Sequence, residues 1–103
     1  MPTFQDALYY LGIDEVDDMI KANVTRAMAT AIKRLHRAIG TNVETYLLND
    51  PEVNELVLIY TREAYDADSL TDKARAALKH QRDDLEPQLR LALRAAKEEA
   101  EVV

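Results

Sequence analysis

The chain has no cysteine among its 103 residues, so it can build neither a disulfide framework nor a thiolate metal site. Glycine appears twice and proline three times, too rarely for a fold made of many tight turns. With β-branched runs also scarce, and Ala, Leu, Glu, Lys and Arg abundant, an all-α fold is expected. The opening MPTFQDALYY has no basic segment ahead of an apolar run, so no signal peptide is expected. No apolar stretch approaches the length needed to span a bilayer, and a soluble, cytoplasmic protein is the default expectation. Positive charge is in deficit. Thirteen Lys and Arg face 19 Asp and Glu, and the net charge of −6 argues against nucleic-acid wrapping as the main task.

What the sequence does contain is helical periodicity, enough for a single domain over residues 1–103. Asp50 and Pro51 form a helix-start signal, a capping side chain followed by a residue that suits the first helical position. Val53, Leu56, Val57, Tyr60, Ala64 and Ala67 then recur at three- and four-residue steps, while Leu58 and Ile59 lie outside that stripe. A helix over about 51–67 that is apolar nearly all round is expected to sit at the centre of a bundle. Before it, Thr3 and Asp6 have the spacing of a capping box for a short helix over about 4–11, which Gly12 ends. A long second helix is predicted over about 15–38. Its apolar stripe is Val16, Met19, Ile20, Val24, Ala27, Met28, Ala31, Ile32, Leu35 and Ile39, and Gly40 stops it. The connection over 41–49 carries Val43, Tyr46, Leu47 and Leu48, which predicts an ordered segment rather than a loose loop. Ser69 and Asp72 suggest another capping box. A last helix follows, with Ala74, Ala77, Leu78, Gln81 and Leu85 on one side, kinked or broken at Pro87. The stripe resumes at Leu89, Leu93 and Ala96, although the alternation of Leu89, Leu91 and Leu93 also permits a short extended segment. Residues 97–103 read as a frayed acidic tail. The fold class is therefore an all-α bundle of four to five helices.

Few residues suggest chemistry. The cluster Asp14, Glu15, Asp17 and Asp18 lacks the turn glycine of a calcium loop, and capping with dipole complementation accounts for it. Glu52 with Glu55, and Glu63 with Asp66, are carboxylates at i and i+3. On facing helices, two such pairs can clamp Mg²⁺, as in helical nucleotide pyrophosphohydrolases. Here both pairs fall on one helix, and solvated edges are the better account. His36 and His80 show no partner at ligand spacing on their own helix faces. No nucleophile motif or phosphate loop is present. Catalytic, metal-binding and cofactor residues are therefore all expected to be none. Arg26, Lys33 and Arg37 share one face of the second helix, opposite its apolar stripe. They suit either a solvated face, an acidic neighbouring surface or a DNA backbone, and the net charge favours a protein partner.

Five segments taken in order resemble the small phage head–tail connector (adaptor) proteins: FQDALYYLGIDEVDDMI, AxxRLHRAIG, DPEVNELVLIYTREAYD, SLTDK and LEPQLRLAL. They span about Phe4 to Arg94. The resemblance implies a non-enzymatic helical subunit of the virion. Such subunits assemble into a ring, typically twelve-fold, beneath the portal protein. The ring extends the DNA channel and offers a docking surface to stopper or tail-completion proteins. It also implies residence at the head–tail interface, with the host cytoplasm as the place of assembly and no membrane association. DNA would pass through the lumen without sequence-specific binding, which an acidic chain suits.

Under that resemblance, surplus apolar residues at Tyr46, Leu47, Leu48, Leu58 and Ile59 are expected to be covered by neighbouring subunits. The basic face of Arg26, Lys33 and Arg37 would pair with Glu52, Glu55, Glu63 and Asp66 of the next copy. The family's portal-gripping segment would correspond to Leu89, Arg90, Leu93 and Arg94. The competing readings are a generic helical interaction module, regulator or antitoxin-like, and a Mg²⁺-dependent nucleotide phosphohydrolase.

Overall fold

The computed structural model describes residues 1–102, and among them the chain is all-α: five helices and no strand. α1 spans Phe4–Leu11, and its capping box is present. Thr3 Oγ1 accepts from the Asp6 amide (3.1 Å), and the Thr3 amide donates to Asp6 Oδ2 (2.9 Å). Gly12 takes the left-handed conformation (φ 73°) that ends the helix, and the Ile13 amide returns to the Leu8 carbonyl at 3.0 Å.

α2 spans Asp18–Ala38, three residues shorter at its start than the spacing predicts. Asp17 is the reason: its carboxylate accepts from the Ile20 amide at 2.7 Å and so fixes the helix start. Val16 therefore lies outside the helix. Met19 lies about 140° around it from the buried Val24, at roughly 100° per residue. Both residues are exposed, at 40% and 73%, and neither belongs to the core stripe. The inward face is Val24, Ala27, Ala31 and Leu35.

The connection contains a one-turn helix, α3 (Val43–Leu47), which buries Val43. α4 spans Pro51–Tyr65 and is the central helix, packed against α1, α2 and α5. Asp50 caps it, with Oδ1 accepting from the Glu52 amide at 2.8 Å. Val53, Leu56, Val57, Ile59, Tyr60 and Thr61 are all buried, so the apolar surround read from the sequence is closed by the chain's own helices. Thr61 is compatible with this because its hydroxyl donates to the Val57 carbonyl (2.8 Å). The helix ends at Tyr65, and Ala67 is exposed beyond it.

α5 spans Asp72–Val102. Its first turn is capped by Thr71, whose Oγ1 accepts from the Ala74 amide (3.0 Å), while the Ser69 hydroxyl turns back to the Asp66 carbonyl. The Ser69–Asp72 capping box does not form. Nor does a break at Pro87, which is exposed and lies inside one continuous helix. Leu78, Leu89 and Leu93 hold the helix to the bundle on both sides of the proline, and Leu91 points outward at 63% exposure. Its 31 residues give a length of about 46 Å, close to the molecule's longest extent of 48 Å. Helical structure continues into the stretch expected to fray, as far as Val102; Val103 lies outside the described residues.

The core has two parts. The larger joins Leu35, Val43, Leu56, Tyr60 and Leu89 across α2 to α5. The smaller joins Ala7, Leu8 and Val24, with Phe4, Ile13 and Leu58 packed on it, and fastens α1 to α2 and α4.

Candidate interaction surfaces

The acidic residues proposed for intersubunit pairing divide into two groups. Glu52 and Glu55 are exposed at the start of α4. Glu63 is not free: its carboxylate receives Arg82 Nε (3.0 and 3.2 Å) and Arg34 Nη1 (3.3 Å), with its side chain only 13% exposed. Arg34 also lies over the Tyr60 ring, 4.3 Å from its centroid. The Tyr60 hydroxyl donates to Glu86 Oε1 at 2.6 Å, and Glu86 in turn faces Arg90 at 3.5 Å. Burial, and then the Glu86 carboxylate, push the Tyr60 phenol far above its usual range, which keeps it a donor. This network stitches α2, α4 and α5 together, so Glu63 acts within the subunit. Asp66 lies 3.7 Å from Arg62, too far for a hydrogen bond, and caps the end of α4.

Of the apolar residues expected at a subunit boundary, Ile59 is 1% exposed in the single chain, and Leu58 packs against the α1 cluster. Ile59 is therefore closed to a neighbour, and Leu58 is partly covered. For Leu58 the reason is α1, whose Ala7 and Leu8 pack on that side of α4. Leu47 packs partly on the larger core, Tyr46 is half-buried, and Leu48 is exposed. The segment assigned to portal contact is similarly divided. Leu89 and Leu93 are core residues. Arg90 Nε donates to the Ala38 carbonyl (2.8 Å) and so satisfies an acceptor left open at the end of α2. Arg94 is exposed and, with Lys97, lines a depression of about 430 Å³ against Ile39.

Arg26, Lys33 and Arg37 do share the exposed face of α2, as their spacing requires. None of the three is ion-paired among the described residues, and Arg26 reaches only Asn23 Oδ1 at 3.3 Å. Thr30 lies between them and borders two adjoining depressions of about 380 and 340 Å³. The first is floored by Ala27 and Ala64, and the second is walled by Lys33 and Arg37. The face is thus a basic groove.

Both histidines have a carboxylate nearby, but only His80 has one on its own helix face and so corrects the sequence reading. His36 pairs with Glu44 of α3, a contact across the connection that helical spacing does not show. Exposed His80 lies 3.8 Å from Asp84, four residues on, a spacing that was legible and missed. Among the described residues no three His, Cys, Asp or Glu side chains gather where they could hold a metal ion, and no helix is long and apolar enough to cross a membrane.

The largest feature that sequence reasoning missed is the α1–α2 corner. Tyr9 is 91% exposed and stands with Val16 beside a shallow depression bordered by Ile13 and Asp14. Met19 follows on the outer face of α2. A helical wheel centred on Val24 instead of on the first apolar residue would have placed Met19 outside. No family model matches this chain, and neither the curated proteins nor the solved structures contain a significant match.

Proposed function

We propose that this chain is a head–tail connector subunit, which assembles as a ring on a phage portal protein, extends the DNA channel and receives stopper or tail-completion proteins. The observation that carries the reading is the ordered series of five segments resembling that family, spread over nearly the whole chain. The segments fall at structurally demanding places. The first runs along α1 and its corner into α2, the second ends α2, the third is the central α4, the fourth enters α5, and the fifth carries Leu89 and Leu93 into the core.

The surface is also of a kind a ring subunit needs. An unpaired basic groove and exposed acidic and apolar groups lie on different parts of one small molecule, which suits contacts between unlike patches of neighbouring copies. The acidic balance lets DNA pass a lumen without adhering to it. In this reading Arg26, Lys33 and Arg37 face a neighbour, with Tyr46, Leu48, Glu52 and Glu55 as further exposed or half-exposed contacts. Arg94 and Lys97 remain on the α5 surface for the portal.

The test is co-sedimentation of the purified chain with the portal protein encoded beside its gene. Migration of the chain with the portal in a fixed stoichiometry supports the reading. A folded chain that stays at the top of the gradient while the portal sediments alone removes it.

A further inference from the structure

We infer that the α1–α2 corner of one copy seats in the basic groove along α2 of the next, giving a head-to-tail contact. The inference rests on the ring reading above only for closure of successive contacts into a ring. Among the described residues, three of the six exposed large hydrophobics are at this corner: Tyr9 (91%), Met19 (73%) and Val16 (40%). Around them stand Asp14, Glu15 and Asp18, exposed and outside every ion pair among the described residues. An apolar cluster with a charged rim is the arrangement of an interface core and its border.

The groove has the opposite sign and complementary relief. Arg26, Lys33 and Arg37 line it without carboxylate partners, and Ala27, Thr30 and Ala64 keep it shallow and open to an entering side chain. The Lys33 and Arg37 end of the groove cannot be satisfied by the corner of its own chain, since Asp18 and Lys33 are about 22 Å apart along α2 at 1.5 Å per residue. Two unlike, complementary patches on one molecule produce a heterologous contact that repeats from copy to copy. Glu52 and Glu55 adjoin in sequence one exposed large hydrophobic, Leu48 at 49%, and Glu98, Glu99 and Glu101 adjoin one, Val102, so each offers less to bury than the corner. A nucleic-acid occupant would neutralise the groove but leave the corner's apolar side chains in water.

The absence of native cysteine makes the test clean. Met19→Cys and Thr30→Cys are combined in one chain and treated with a short bismaleimide. Head-to-tail contact yields a ladder of dimers, trimers and higher species, whereas mixing the two single variants yields dimers only. Adding Lys33→Glu with Arg37→Glu lowers the ladder yield by about tenfold or more, as does Asp14→Lys with Asp18→Lys. An equimolar mixture of the two reversed chains restores it, because each reversed corner then meets a reversed groove.

A ladder that stops at two, no ladder at all, or one indifferent to both reversals overturns the inference. Circular dichroism of each variant confirms that the helices are intact. Portal co-sedimentation of the unaltered chain is read separately. A ladder without portal binding keeps this contact and removes the ring reading, and portal binding without a ladder does the reverse.

Discussion

Replacing Glu63 by alanine tests whether the ion network holds the bundle together. The change leaves Arg82 and Arg34 without their shared carboxylate, with side chains 20% and 36% exposed, and empties a site that was 13% exposed. Breaking a fully buried pair costs roughly 3–5 kcal/mol and a surface pair about 0–1 kcal/mol. Intermediate exposure, with water able to reach both arginines, puts Glu63→Ala at about 2 kcal/mol. For a domain of this size that corresponds to a fall in Tm of about 8–16 °C. Glu63→Gln keeps an acceptor for Arg82 and should lose about half as much. Thermal unfolding followed by circular dichroism measures both, and a double-mutant cycle with Arg82→Met isolates the pair, with a coupling of about 1 kcal/mol expected. A Tm fall below about 3 °C together with negligible coupling would refute the reasoning and make Glu63 available to a partner.

Gly40 has φ 152°, and a Cβ there would stand 2.9 Å from Leu93 Cδ2; Gly40→Ala should cost about 1–3 kcal/mol by chemical denaturation, against roughly 1 kcal/mol for Gly12→Ala, where the space is open. Pro87 is exposed inside α5 and contributes no amide, so Pro87→Ala should stabilise by about 1–2 kcal/mol. A loss of stability instead would mean that α5 docks only with the bend that proline imposes. The folded Tyr60 phenol titrates above its usual 10.0, so its stabilising effect is complete below that pH and declines as pH rises towards the folded value. Above pH 10 the wild type should lose about 1.4 kcal/mol per pH unit more than Tyr60→Phe, a difference readable from Tm against pH. Tyr10, also pushed up by burial, titrates in the same direction in both proteins.

Local signals proved most legible where one residue type decides the backbone. Thr3 with Asp6, Gly12, and Asp50 with Pro51 set helix ends that the structure reproduces, because capping depends on neighbours in sequence. The central position of α4 followed from its nearly all-round apolar surface. Which neighbours cover it did not follow, since Ile59 is buried within the single chain and α1 packs on Leu58. The start of α2 was misplaced because several acids compete for one cap, and the aim of Asp17 at the Ile20 amide decides it. The intrinsic cost of Pro87 predicts a kink or a break, whereas the helix runs on through it, held by Leu78, Leu89 and Leu93 on either side. Glu63 looked like a solvated edge because the arginines that claim it come from positions 34 and 82. The basic face was read correctly, since a single helix defines it, but its concavity depends on α4. A wheel centred on Val24 places Met19 outside, but its position beside the exposed Tyr9 and Val16 depends on how α1 packs on α2.

The central claim, a ring on the portal, is tested most directly by electron microscopy. The unaltered chain is mixed with the portal protein from the same genome and particles are averaged in side and end views. The account predicts an added layer stacked on one face of the portal, with the portal's axis and a continuous central channel. Bare portals beside well-folded free chain, at concentrations where the portal itself is intact, would contradict it.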